Sequence, residues 1–181
     1  MSDPNDASAG VAPSRAGWRF MLSHPAHLLA LGAGSGLSPV APGTVGTLWG
    51  WLTFWWLQPL LSTSQWAAVL AGGLVVGWWA CTVTARHLAL ADPSPVVWDE
   101  ILAFWLILWL VTPAGWATQC AAFGLFRFFD AVKPGPVGWA DGLFKSRRGE
   151  PVGWSQGFGI LLDDGVAALC TLLVMALWRW L

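Results

Sequence analysis

The sequence predicts an all-α fold, a polytopic membrane helical bundle with about four to five membrane-embedded helices. The 181 residues are 56% hydrophobic and only 10% charged, where soluble domains carry about 25% charged residues. No Asp, Glu, Lys or Arg lies between Arg19 and Arg86. The chain has 16 Trp and no Tyr, and Trp favours the membrane–water interface. A soluble fold of this length could not hide so much apolar surface.

The elements follow in order. Residues 1–20 are polar and rich in Pro, Ala and Ser, without the apolar core of a signal peptide, and read as a disordered cytoplasmic tail. Residues 21–181 read as a single membrane-embedded domain. Thr44 to Leu61 and Trp66 to Val83 are each about long enough to cross hydrocarbon, joined by the neutral turn "STSQ". A third span runs from about Val97 to Val111, and "TPAG" leads to a fourth, from Trp116 to Phe129. These two are short, so they tilt or pack inside the bundle. A polar, Gly/Pro-rich segment follows, and the last span starts near Phe158.

Charge sets the orientation. Arg15 and Arg19 precede the first span, Arg86 follows the second, and Lys133, Lys145, Arg147 and Arg148 lie between the fourth and fifth. By the positive-inside rule these segments are cytoplasmic. The C-terminus, with Arg179, then lies outside. A net charge of −1 gives no field to attract nucleic acid. Cys81, Cys120 and Cys170 have no metal-ligand or disulfide spacing and read as packing residues. His24 and His27 read as membrane-surface residues.

Against this apolar background, five acids stand out at membrane boundaries: Asp99 and Glu100 in "VVWDE", Asp130 in "FRFFDAVKPGP", and Asp163 and Asp164 in "GFGILLDD". The topology brings all of them to the cytoplasmic face. An unpaired carboxylate in hydrocarbon costs at least ~2.5–3.5 kcal/mol. Solvation at headgroup level or pairing with Arg127 and Lys133 would offset part of that. A hard divalent cation such as Mg²⁺, which takes oxygen ligands, would offset more. Arg127 and Asp130 share a helix face, and Lys133 follows as that helix ends. Arg grips phosphate oxygens in pairs and Lys adds a point charge. The loop "GAGSGLSPVAPGTVGTL" lacks the ending of a nucleotide P-loop. It delivers Gly43 and Thr44 to a helix N-terminus, where free N–H groups favour an anion.

In this order and spacing, "HLLALGAGSGLSPVAPGTVGTL", "VVWDE", "FRFFDAVKPGP" and "GFGILLDD" resemble the phosphatidylglycerophosphatase A family, from about His27 to the C-terminus. The resemblance implies an Mg²⁺-dependent lipid phosphatase of the bacterial inner membrane, converting phosphatidylglycerophosphate to phosphatidylglycerol and phosphate. It implies catalytic and metal-binding roles for Asp99, Glu100, Asp130, Asp163 and Asp164. Arg127 and Lys133 become phosphate ligands, with Gly43 and Thr44 beside them. Direct attack by water and an aspartyl-phosphate intermediate both fit these residues. The long segment "GWADGLFKSRRGEPVGWSQ" departs from the family pattern and bears on headgroup access. Two other classes fit less well. A CDP-alcohol phosphotransferase would carry an Asp-Gly and Ala-Arg run that is missing, and a transporter or assembly subunit is disfavoured by a second span without charge.

Overall fold

The computed structural model describes residues 16–144 and 152–180, and every regular element among them is helical. In chain order these are α1 (Trp18–Leu22), α2 (Pro25–Ala30), a 3₁₀ segment (Gly32–Leu37), α3 (Pro42–Leu57), α4 (Thr63–Leu88), α5 (Trp98–Val111), α6 (Trp116–Val132), α7 (Pro136–Leu143) and α8 (Trp154–Trp180). The five apolar stretches of the sequence become α3, α4, α5, α6 and α8. Residues 1–15, with Arg15, and the basic residues Lys145, Arg147 and Arg148 lie outside the described residues, as does the side chain of Arg179. The end of the expected tail is ordered: Trp18, Arg19 and Phe20 open α1, because the Phe20 ring stacks on His27 and Met21 is buried.

Local signals explain where the helices start and stop. Pro42 at the first turn of α3 suits a position whose N–H has no helical partner. Ser62 and Gln65 form a reciprocal capping box at the start of α4: the Gln65 N–H donates to the Ser62 hydroxyl, and the Ser62 N–H donates to Gln65 Oε1 at 2.8 Å. Val97, ahead of α5, donates its N–H to the Ala30 carbonyl at 2.9 Å, tying α5 to α2. Lys133 ends α6 in the left-handed region at φ 49°, and Pro134 follows.

Among the described residues two helices, rather than four or five, are long and apolar enough to cross a membrane: Thr63–Leu88 and Trp154–Trp178. Only 28% and 44% of their apolar windows is buried, which leaves most of each facing outward. Helices α3, α5 and α6 have 16, 14 and 17 residues, short of the ~20 that hydrocarbon requires. The sequence boundaries of these three were nearly right, but the turns around them consume the residues that would complete a span.

Helix α5 is the centre of the bundle. Ile101 to Trp105, Ile107 and Leu108 are all buried. Glycines let its neighbours approach closely, as in membrane helix packing. A Cβ at Gly46 of α3 would lie 2.6 Å from Val97 Cβ, and one at Gly50 3.1 Å from Ile101 Cα. Tryptophans then lock the contacts. Trp105 donates its indole N–H to the Gly50 carbonyl at 2.8 Å, and Trp98 donates to the Gly73 carbonyl of α4 at 3.0 Å. The outward faces stay greasy, with Leu52, Trp56, Val75, Leu173 and Trp178 all exposed. That outer surface suits lipid, and the chain is membrane-associated.

Candidate active site

The close fit of α3 on α5 determines what stands at one end of the bundle. The first turn of α5 carries Asp99 and Glu100, and α8 brings Asp164 against them. Each of these three carboxylates offers an oxygen within 4.8 Å of the others. Asp163 and Asp164 lie more than two turns inside α8 rather than at its mouth, because α8 begins four residues earlier than the sequence suggested. Its extra first turn is held over α4: Trp78 donates its indole N–H to the Trp154 carbonyl at 2.7 Å, and the Arg86 guanidinium sits over the Trp154 ring.

Asp130 at the end of α6 touches Asp164 and makes an ion pair with Arg127. The Arg127 guanidinium stands 4.0 Å from Glu100 Oε1 and donates to the Thr47 hydroxyl at 3.4 Å. Thr47 in turn donates to the Gly43 carbonyl at 2.8 Å. A Cβ on Gly43 would collide with Glu100 and stand 3.2 Å from Arg127. The Gly-rich loop thus reaches the site as the sequence implied, but the side chain in contact with Arg127 is Thr47, one turn beyond Thr44. Thr47 closes the same Gly-rich stretch in the sequence but was not among its expected site residues. Its spacing of four from Gly43 was the available signal.

Lys133 is bound more tightly than a waiting phosphate ligand needs to be. Its ammonium donates to Asp163 at 2.5 Å and to Asp141 at 2.6 Å. Burial works against its charge, but hydrogen bonds and attraction from Asp141 and Asp163 outweigh that and raise its pKa above the usual value, so it stays cationic. Asp141 belongs to α7, which forms from the segment that departs from the family pattern. Sequence reasoning passed over it because a lone Asp in a Gly-rich stretch reads as a loop residue.

The five acids therefore divide. Asp130 and Asp163 answer the two cations, Arg127 and Lys133. Asp99, Glu100 and Asp164 gather with one another, Glu100 also facing Arg127 at 4.0 Å, and Asp99 Oδ1, Glu100 Oε2 and Asp164 Oδ2, like Asp163 Oδ1, are buried without a hydrogen-bond partner among the described residues. Such orphaned oxygens are costly unless something positive sits among them. The donor set is oxygen only, the kind Mg²⁺ prefers over softer metals. The residues fit a hard divalent cation.

The comparisons with known proteins show the family. The family model described as phosphatidylglycerophosphatase A matches residues 28–179. The phosphatidylglycerophosphatase A of Escherichia coli (strain K12) is 36% identical over 151 residues, covering 83% of this chain and 81% of the relative. That of Haemophilus influenzae is 34% identical over 164 residues, covering 90% and 94%. A relative from Bacteroides thetaiotaomicron, provisionally named a phosphatidylinositol-3-phosphatase, is 36% identical over 162 residues, covering 84% and 92%. No solved structure matches the chain. Since the match runs through every segment that builds the site, the chain belongs to the phosphatidylglycerophosphatase A family.

Proposed function

We propose that this chain is an Mg²⁺-dependent lipid phosphatase that hydrolyses phosphatidylglycerophosphate to phosphatidylglycerol and phosphate. The observation that carries the reading is the convergence of Asp99, Glu100 and Asp164 within 4.8 Å of one another, with Arg127 4.0 Å from Glu100. Two relatives named for that activity support the choice of substrate. Asp99, Glu100 and Asp164 would hold the cation, with Asp130 and Asp163 flanking them. When bound, Mg²⁺ offsets phosphate charge and favours in-line attack by water.

The side chains of the chain itself account for the rest. Asp130 and Thr47 hold the Arg127 guanidinium in place, leaving further N–H groups for phosphate oxygens. Lys133 supplies a second positive charge beside them. Burial of the carboxylates strengthens each of these interactions. Overall a water oxygen ends up on phosphorus, directly or by way of an aspartyl-phosphate, and the bond from phosphorus to the glycerol oxygen breaks. The glycerol oxygen takes up the proton that the water gives up, so the products are an alcohol and inorganic phosphate.

Charge and shape support a location. The acids sit at the end of the bundle that the positive-inside rule makes cytoplasmic, in a bacterial inner membrane. Helices α3, α5 and α6 are embedded beside the longer α4 and α8. The diacylglycerol part of the substrate would stay in the leaflet while its phosphate reaches the acids.

Protein purified in detergent with Mg²⁺ should release phosphate from phosphatidylglycerophosphate without forming CMP. CMP-dependent turnover would indicate a phosphotransferase, and no release from any lipid phosphate would remove the enzymatic reading.

A further inference from the structure

At the end of the bundle opposite the acids lies a cavity of about 410 Å³, within the range of small-ligand pockets. Gln58 closes α3 there, Thr63 and Trp66 open α4, and Trp109 and Thr112 end α5. Asp99 and Trp109 are ten positions apart on α5, so the cavity is about 15 Å from the carboxylates. The proposed chemistry does not use it.

Two groups in its lining lack partners among the described residues. Trp66 is 1% exposed, and its indole N–H meets no acceptor. The Gln58 side-chain oxygen is likewise buried without a donor. One group donates and the other accepts, a combination that one hydroxyl can satisfy from both sides. Among the described residues no charged side chain lines the cavity, which disfavours a phosphate or an ammonium group. Two tryptophans and two threonines complete a neutral wall for a polyol. The volume is more than ten times the ~30 Å³ share of a water molecule. Exposed Trp56, Leu60 and Leu110 lie in the same chain segments as the lining residues, where an acyl chain would run.

We infer that this cavity binds the neutral glycerol-class headgroup of a lipid at the membrane boundary opposite the acids, with Trp66 donating to it and Gln58 accepting from it. The test uses the full chain purified in lauryldimethylamine oxide, whose headgroup carries no cluster of hydroxyls. Saturating 1-monooleoylglycerol should raise Tm by about 5 °C, and methyl oleate should not. Gln58→Leu and Trp66→Phe should each remove that shift while leaving phosphate release within twofold of the parent, since neither touches the acid site. The inference is overturned if 1-monooleoylglycerol gives no shift, if methyl oleate gives the same shift, or if the shift survives in Gln58→Leu. An equal shift from free glycerol at the same concentration would overturn the lipid assignment.

Discussion

Gly43 of α3 lies directly against Glu100 of α5. A Cβ at position 43 would collide with Glu100 Oε1 and stand 3.2 Å from the Arg127 guanidinium. The glycine is thus part of the acid site through what it leaves out. Gly43→Ala should lower phosphate release tenfold or more, because Glu100 and Arg127 must both move. Gly124→Ala on α6 is the control: nothing lies within 4 Å of a Cβ there, and stability should hold or rise by about 0.5–1 kcal/mol. Equal activity in the two variants would separate Gly43 from the site.

Asp99→Asn and Asp164→Asn keep the side-chain shape and remove the charge. Each should reduce phosphate release to background while the protein still inserts and purifies normally. EDTA should do the same to the parent protein, with recovery on adding Mg²⁺. Activity that persists in EDTA would rule out metal catalysis here.

Lys133 holds two carboxylates and, on the proposed reading, also meets the substrate phosphate. Charge-assisted hydrogen bonds are worth about 1.5–3 kcal/mol. Lys133→Met should therefore raise KM by about tenfold or more. It should also lower Tm, since Asp163 already has one buried oxygen without a partner. Steady-state kinetics with unchanged KM would assign Lys133 a purely structural role.

His27 is buried, 2% exposed, rather than at the membrane surface as the sequence suggested. It bonds the Phe20 carbonyl at 2.9 Å and His87 at 2.8 Å. Burial pushes its pKa below the ordinary 6.5, opposed by the bond to Phe20 and aided by His87 and His24. Above pH 6.5 His27 is neutral whether folded or unfolded and adds no pH dependence. As pH falls below 6.5, the unfolded chain takes a proton that the folded one refuses, so stability is lost until the folded pKa is passed. Melting curves between about pH 7.5 and 5.5 should show Tm falling, with a weaker slope in His27→Gln.

Much of the bundle was legible because its signals are local. Neutral turns such as "STSQ" and "TPAG" separate the apolar stretches, and the helices fall close to the expected bounds. The number of membrane-spanning helices was not legible, since it depends on where each helix stops. α5 is nearly all apolar because it is enclosed by protein, and composition does not separate that cause from contact with lipid.

The acids of the site stood out because a carboxylate beside an apolar helix is costly enough to need a reason. Their division did not stand out. Nothing in the spacing separates Asp163, which pairs with Lys133, from Asp164, which joins Asp99 and Glu100. Adjacent residues on a helix point about 100° apart, so one position decides the partner. Thr47 meets Arg127 from a distant segment, and Asp141 meets Lys133 across the turn between α6 and α7, contacts that no local pattern records.

On the proposed reading Asp99, Glu100 and Asp164 together hold one divalent cation. The most direct test is Mn²⁺ binding, a paramagnetic stand-in for Mg²⁺, measured by electron paramagnetic resonance on the purified chain without substrate. Binding should be saturable, competed by Mg²⁺ and weakened at least tenfold in Asp164→Asn. Binding of equal strength in the parent and Asp164→Asn, or none in the parent, would contradict it.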